Sequence, residues 1–182
     1  MKGTEAVEIV MSLAGDSPVV NANGFIGREA FNVVDRESNF YMIGSMGLAS
    51  SIGLGVALCK PDKKVIILDG DGNVLMAMGT LAMIAASSPK NLVHVVIDNG
   101  VYESTGKQKT LSRDVRLEEV AKGVGYKTSL AVSNSNSLRQ AMKTMIKEEG
   151  PSFLLARVEA SFNKDAGRVT HTPEEIKERF MR

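Results

Sequence analysis

The chain has 182 residues, a formal net charge of +1 and a single cysteine. We expect one domain over residues 1–182, because this length supports a full core but is short for two domains. The balanced charge argues against a nucleic-acid or anionic-membrane partner, and a single cysteine excludes disulfides and cysteine-ligated clusters bound by this chain. The sequence has no signal-peptide pattern and no apolar span of about 18 residues, so the expected location is cytoplasmic.

The first third of the chain predicts two strand-to-helix units. A helix over Glu5–Ala14 precedes a short strand, Pro18–Val20, and the Asn/Gly-rich turn Asn21–Gly24 then leads into a helix from about Arg28 to Val34. Because this turn closes a strand and opens a helix, it is expected at the ligand-binding edge of a sheet. An ordinary loop is an equally good interpretation of the turn, Asn23 included.

A second unit runs from the predicted strand Phe40–Ile43 through the turn Gly44–Gly47 into a helix that ends near Leu58. The turn lacks the third glycine of a dinucleotide fingerprint, and no P-loop Lys-Ser/Thr occurs in the chain. The helix is rich in Gly, Ala and Ser, which permits close packing against a neighbour. Taken alone, Met46 in this turn is best interpreted as core filler.

The next segment carries the strongest functional pattern. The apolar strand Lys64–Leu68 leads to Gly70-Asp71-Gly72-Asn73, a helix is predicted over Val74–Ala86, and a second apolar strand, Leu92–Ile97, ends in Asp98-Asn99. Parallel strands joined by a helical crossover end at one edge of a sheet, so Asp71 and Asn99 are expected to converge there.

The residue types at this edge suit a magnesium-bound diphosphate. Mg²⁺ prefers hard oxygen ligands, which the Asp71 carboxylate, the Asn99 amide and the Val101 carbonyl can supply. Gly70 and Gly72 let the backbone approach a phosphate, and the N-terminus of the following helix offers free N–H groups.

A polar segment, Gly100–Thr110, follows without helical or strand period and is interpreted as a loop that covers the site. Four of its side chains could contact an anion, although a solvated loop is nearly as good an interpretation: Ser104, Thr105, Lys107 and Gln108. His94, inside an apolar strand, is interpreted as a hydrogen-bonded core residue.

The remaining elements continue the alternation of strands and helices. They are predicted as a helix over Leu117–Gly123, a strand over Lys127–Val132, a helix over Leu138–Glu148, a strand over Phe153–Val158 and a final helix that Thr172-Pro-Glu-Glu175 begins with a capping box. The expected fold is therefore α/β, a doubly wound parallel sheet of about six strands with helices on both faces.

The two halves of the motif, Gly70–Asn73 and Asp98–Tyr102, resemble the signature of thiamine diphosphate enzymes. The resemblance implies thiamine diphosphate and Mg²⁺ as cofactors. Asp71, Asn99 and the Val101 carbonyl would hold the metal. It also implies that the Gly44 carbonyl accepts a bond from the 4′-amino group of the cofactor and that Met46 supports its bent shape. The implied cofactor contacts are Gly44, Ser45, Met46, Gly70, Asp71, Gly72, Asn73, Asn99, Val101 and Tyr102.

Over most of its length the chain resembles the family of sulfopyruvate decarboxylase β subunits, related to phosphonopyruvate decarboxylases. The motifs are Asn39–Gly55, Leu68–Gly72, Asp98–Tyr102, Ser104–Gln108 and Pro173–Phe180. The resemblance implies the diphosphate-binding half of a carboxy-lyase that converts sulfopyruvate to sulfoacetaldehyde and CO₂ on the route to coenzyme M. A separate pyrimidine-domain (α) subunit would supply the catalytic glutamate in a hetero-oligomer.

The substrate of such an enzyme carries a second acid group, for which Arg28, Lys107 and Arg168 are candidate partners. Lys107 departs from the glycine expected in many relatives, which leaves the contacts of its loop open. Asn23 is a further candidate at the substrate.

Three other interpretations stay open from the sequence. Phosphonopyruvate or another 2-oxo acid could be the substrate. A 2-oxoacid:ferredoxin oxidoreductase subunit would carry the same diphosphate motif, and a non-catalytic metal- or nucleotide-binding module would use Asp71 and Asn99 for the metal alone.

Overall fold

The computed structural model describes residues 1–163 and 165–182 of the chain. Its strands are β1 (Val19–Asn21), β2 (Asn39–Tyr41), β3 (Val65–Gly70), β4 (Leu92–Asp98), β5 (Val101–Tyr102), β6 (Gln108–Lys109), β7 (Thr128–Val132) and β8 (Ser152–Arg157). Its helices are α1 (Gly3–Leu13), α2 (Phe25–Val33), α3 (Ala49–Cys59), α4 (Asp71–Met76), α5 (Gly79–Ser87), α6 (Leu117–Val124), α7 (Ser135–Lys147) and α8 (Pro173–Phe180).

Six of the strands form one sheet in the order β2-β1-β3-β4-β8-β7, and each neighbouring pair is parallel. Helices α1, α2 and α7 pack on one face and α3, α5 and α6 on the other. The central strands β3 and β4 are buried along their whole length, as expected where helices cover both faces. The predicted doubly wound α/β sheet is confirmed.

The prediction of one helix over Val74–Ala86 was wrong. The first helix, α4, begins at Asp71, and the chain leaves helical geometry at Ala77 (φ −133°, ψ 38°) before α5 starts at Gly79. The turn before α3 packs against this break: a Cβ atom on Gly47 would lie 3.1 Å from the Cβ atom of Ala77. The break between α4 and α5 therefore coincides with this tertiary contact. It does not coincide with a proline.

The polar segment after Asn99 was also predicted incompletely, because it contains a short antiparallel hairpin. Val101 pairs with Lys109 and Tyr102 with Gln108. The predicted capping box at the last helix is confirmed, with Thr172 and Glu175 each bonding the other's backbone N–H.

His94 is a hydrogen-bonded core residue, as predicted. Its Nε2 lies 3.2 Å from Oδ2 of Asp69 and its Nδ1 lies 3.3 Å from the hydroxyl oxygen of Tyr126. Burial, followed by the charge of Asp69, raises the pKa of the Tyr126 phenol, so the phenol stays protonated and can donate. This buried chain of polar groups lies at the end of β3, directly before the Gly70-Asp71 turn.

Among the described residues, no helix combines the length and the apolar character that crossing a membrane requires.

Candidate metal and cofactor site

The ends of β3 and β4 bring the two parts of the predicted motif into one cleft. The strand register pairs Gly70 with Ile97, so Asp71 and Asn99 follow at nearly the same level of the sheet. Both residues line the cleft together with Met46 from the turn before α3.

Most of the residues proposed from the sequence share this cleft. Those that line it are Asn23, Met46, Gly70, Asp71, Gly72, Asn73, Asn99, Val101, Tyr102, Ser104 and Thr105. Gly44, Ser45, Arg28, Lys107 and Gln108 do not line it. The first two belong to the exposed part of their turn, the side chain of Lys107 lies 3.7 Å from Glu103, and Gln108 accepts a hydrogen bond from Thr105.

Asp71 is the buried carboxylate of the cleft, with its side chain at the first position of α4. Burial raises the pKa of this carboxyl above its usual range. The hydrogen bond from Thr110 opposes that shift, and the nearby charge of Asp98 adds to it. A divalent cation at this carboxylate would offset the cost of keeping it ionised.

Asn99 is oriented by two contacts in the loop after β4. Its Nδ2 donates to Glu103 at 3.0 Å, and its Oδ1 accepts from the backbone N–H of Val101 at 3.0 Å. An amide oxygen has two lone pairs, so one remains available for a metal. Glu103 was not predicted as a site residue. By accepting from Nδ2 of Asn99, it fixes the orientation of the Asn99 amide group.

Asn73 joins two loops of the cleft, because its Oδ1 accepts from the backbone N–H of Gly47 at 2.9 Å. Gly72 lies against the wall opposite: a Cβ atom there would come within 2.5 Å of Cε1 of Tyr102 and 3.0 Å of Cε of Met46. Only glycine fits at this position without moving both side chains. The side chains of Tyr102 and Met46 therefore pack directly against the backbone of Gly72.

Thr110 and Ser112, at the end of the hairpin, are functional candidates that the sequence analysis missed. The Thr110 hydroxyl lies 2.5 Å from Oδ2 of Asp71, and the Ser112 hydroxyl lies 2.8 Å from Oδ1 of Asp98. No local pattern reveals the first contact, since 39 positions separate the two residues.

Arg28 lies in a neighbouring pocket rather than in the cleft. Its guanidinium stands 5.2 Å from the ring centroid of Phe25, and Phe25 itself lines the cleft. The pocket also contains Arg168, and it shares Asn23 and Gly24 with the cleft. In the described part of the chain, neither arginine forms an ion pair with a carboxylate.

The donor set suits magnesium better than a thiophilic metal. Within residues 1–163 and 165–182, no three His, Cys, Asp or Glu side chains gather as a metal site. What the cleft offers instead is the Asp71 carboxylate, the Asn99 amide oxygen and backbone groups around Gly70 and Gly72. Such oxygen ligands suit a hard cation that keeps part of its shell for phosphate and water. The residues present therefore fit a magnesium-bound diphosphate.

Comparison with known proteins agrees with this chemistry. Residues 14–156 match the family model described as "Thiamine pyrophosphate enzyme, C-terminal TPP binding domain". The chain is 43% identical to sulfopyruvate decarboxylase subunit beta of Methanococcus maripaludis over 177 residues, which cover 97% of this chain and 94% of that subunit.

A second relative is much longer than this chain. Phosphonopyruvate decarboxylase of Streptomyces viridochromogenes is 41% identical over 172 residues, covering 94% of this chain but only 43% of the relative. Among solved structures, the 4-hydroxybenzoylformate decarboxylase of Rhodococcus jostii RHA1 has a TM-score of 0.76 at 19% identity, covering 90% of this chain and 33% of that one. At 19% identity, this similarity shows a shared fold only.

Asp71→Asn is expected to stabilise the metal-free chain at pH 7 by about 0.5–2 kcal/mol, the usual range for stabilising substitutions. The pKa of Asp71 is raised in the native state, so its ionisation costs stability as the pH rises through that native pKa. The advantage of Asn should be complete well above the native pKa and shrink as the pH falls toward the ordinary Asp value of about 3.9. Urea unfolding over a pH series measures it.

The exposed Asp114, in the segment after the hairpin, provides the matched control, and Asp114→Asn should leave the free energy of unfolding nearly unchanged. An Asp71→Asn chain that is less stable than the wild type at pH 7 would contradict the electrostatic account.

Proposed function

The chain belongs to the thiamine pyrophosphate enzymes, and from that premise we propose that it is the β subunit of a Mg²⁺- and thiamine diphosphate-dependent decarboxylase. The proposed reaction converts sulfopyruvate to sulfoacetaldehyde and CO₂ in coenzyme M biosynthesis, with residues 1–182 acting as one diphosphate-binding domain. The observation that carries the proposal is the convergence of Asp71, Asn99 and Val101 at one cleft. The 43% identity to a named sulfopyruvate decarboxylase subunit supports the choice of substrate.

In this proposal Asp71, Asn99 and the Val101 carbonyl hold the metal. Gly70, Gly72 and Asn73 bring the backbone close to the diphosphate, and Tyr102 closes the side of the cleft. Gly44, Ser45 and Met46 lie at the neighbouring turn, where the pyrimidine would bind. Thiamine diphosphate, when bound, supplies the electron sink for loss of CO₂ from a 2-oxo acid.

Met46 is proposed to support the shape of the cofactor. Its methyl group lies close to Gly72, and its side chain lines the cleft. Gly44 would offer its carbonyl oxygen to the pyrimidine amino group.

A separate partner subunit is proposed to complete the active site. The cleft contains a cavity of about 130 Å³, whereas pockets that enclose a cofactor-sized ligand typically hold about 300–1,000 Å³. The relative that this chain covers almost completely is named a subunit, and the longer relative is covered by less than half. A pyrimidine-domain chain in a hetero-oligomer would supply the missing wall.

Exposed apolar side chains beside the cleft support this partner. Leu48, Met76 and Met78 are 48%, 61% and 37% exposed, and they flank the Gly47 turn that packs on Ala77. Burying apolar area of this kind favours association.

The second acid group of the substrate is proposed to bind at Arg28, with Arg168 in the same pocket. A guanidinium held over an aromatic ring keeps its N–H donors available for a carboxylate, sulfonate or phosphonate. Asn23, Ser104 and Thr105, which line the cleft, are further proposed contacts. Lys107 and Gln108, which lie outside the cleft on the exposed part of the same loop, are the last two proposed contacts. Phosphonopyruvate is the second candidate substrate, since a 41% identical relative is named for it.

Asp71→Asn is expected to abolish detectable Mg²⁺-dependent binding of thiamine diphosphate, because the cleft loses the carboxylate that is proposed to hold the metal. Isothermal titration of the chain in complex with its partner measures the affinity. Urea unfolding of the same variant checks that its fold is retained, so that a loss of binding can be assigned to the site. Unchanged affinity would remove Asp71 from the metal site.

The purified chain alone is expected to release no CO₂ from sulfopyruvate, and activity should appear when the pyrimidine-domain subunit is added. The physical reason is that the chain has only part of the cofactor enclosure. A coupled assay for CO₂, with and without an electron acceptor, measures this. Robust release by the chain alone would contradict the shared site, and release that depends on the acceptor would indicate an oxidoreductase.

Arg28→Gln in the complex is expected to raise KM for sulfopyruvate about 10- to 100-fold, which corresponds to losing about 1.5–3 kcal/mol from a charged hydrogen-bond pair. Pyruvate, which lacks the second acid group, should be turned over with unchanged kcat/KM. The exposed Arg139 on α7 offers the control variant Arg139→Gln. Equal losses with both substrates would argue against this role for Arg28.

A further inference from the structure

Thr110 contacts both loops that carry the proposed metal ligands. Its hydroxyl oxygen lies 2.5 Å from Oδ2 of Asp71, and its backbone N–H donates to the carbonyl oxygen of Gly100 at 3.0 Å. Gly100 directly follows Asn99, and Thr110 itself is buried. A single residue thus bridges the tip of β3 and the tip of β4.

The hydrogen-bond pattern decides which group donates. An ionised carboxylate only accepts, so Thr110 gives its one hydroxyl proton to Asp71. Ser112 donates to Oδ1 of Asp98 at 2.8 Å, and its hydroxyl oxygen also lies 3.0 Å from that of Thr110. Removing the Thr110 hydroxyl would therefore leave a buried oxygen of Asp71 without this donor.

The same residue ends the β5–β6 hairpin. Each hairpin strand has only two residues, and residues 104–109 are exposed. An isolated two-stranded hairpin is marginally stable in water, so its position depends on how its ends are held. At the C-terminal end of the hairpin, the hydrogen bond from Thr110 to Asp71 holds the chain in place.

We propose that Thr110 is a positioning residue that orients Asp71 toward the metal and couples metal loading to the ordering of the β5–β6 hairpin over the cleft. This inference rests on the proposed function, because it takes Asp71 as a metal ligand. A carboxylate has about four lone-pair sites, so the bond from Thr110 still leaves lone pairs of Asp71 for the cation. Because the coupling is reciprocal, metal binding at Asp71 stabilises the hairpin to the same extent that hairpin order favours the metal.

The test compares Thr110→Val with Thr110→Ser in the complex of the chain with its partner subunit. Mg²⁺ is titrated by calorimetry at saturating thiamine diphosphate, and hairpin order is followed as the rate of trypsin cleavage after Lys107 and Lys109. Thr110→Val should weaken Mg²⁺ binding about 10- to 100-fold, as expected for loss of a group that orients a ligand. At Mg²⁺ concentrations that saturate each variant, cleavage should slow in the wild type and not in Thr110→Val.

Thr110→Ser keeps the hydroxyl and should behave as the wild type in both measurements. Thr80→Val is the matched control, because Thr80 is a buried threonine whose hydroxyl pairs with Ser51 at 3.3 Å, outside the cleft. Thr110→Ala, which also lacks the hydroxyl, should show the same losses and serves if the valine variant does not fold.

If Thr110→Val binds Mg²⁺ as tightly as the wild type and is equally protected from trypsin, the proposed role of Thr110 is overturned. The proposed function of the chain would not be affected by that result. Equal losses in the serine and valine variants would overturn it as well, because the hydroxyl would then not be the cause. A wild-type complex that binds no Mg²⁺ with thiamine diphosphate would instead remove the proposed function, and this inference with it.

Discussion

Two adjacent parallel strands, buried on both faces, end at the same edge of the sheet, and the candidate site depends on this arrangement. The ladder between β3 and β4 runs to Gly70 and Ile97, so the loops that follow start from fixed and neighbouring points. Close packing of helices on both faces makes this edge rigid. Asp71 and Asn99 therefore line one cleft, although two helices and a strand separate them along the chain.

Burial of carboxylates is the main electrostatic cost of this arrangement. Asp71 and Asp98 lie near one another, and burial together with their mutual repulsion raises the pKa of Asp71. The hydroxyls of Thr110 and Ser112 reduce this cost by donating one proton to each carboxylate. A divalent cation at the proposed metal site would reduce it further. Thr110 also directly follows the second strand of the hairpin, so one hydroxyl contact connects the Asp71 carboxylate with the end of the hairpin.

The surroundings of the cleft are consistent with half of a larger site. Its enclosed volume is small, and apolar side chains next to the Gly47 turn remain exposed. The arginines of the neighbouring pocket, by contrast, suit an anionic substrate that would enter from the side of α2. The surfaces proposed for the cofactor, the substrate and a partner subunit are thus separate parts of one chain.

Local patterns in the sequence by themselves determined the sheet type, the alternation of strands and helices and the two polar strand ends. These features follow from short-range rules: apolar β-branched runs form buried strands, and parallel crossovers place successive strand ends at one edge. Only the tertiary structure decided three others, namely the break between α4 and α5, the hairpin after Asn99 and the contact of Thr110 with Asp71. Each of these features depends on contacts between residues that are distant in sequence, such as the contact of Gly47 with Ala77. No local period or motif encodes such a contact.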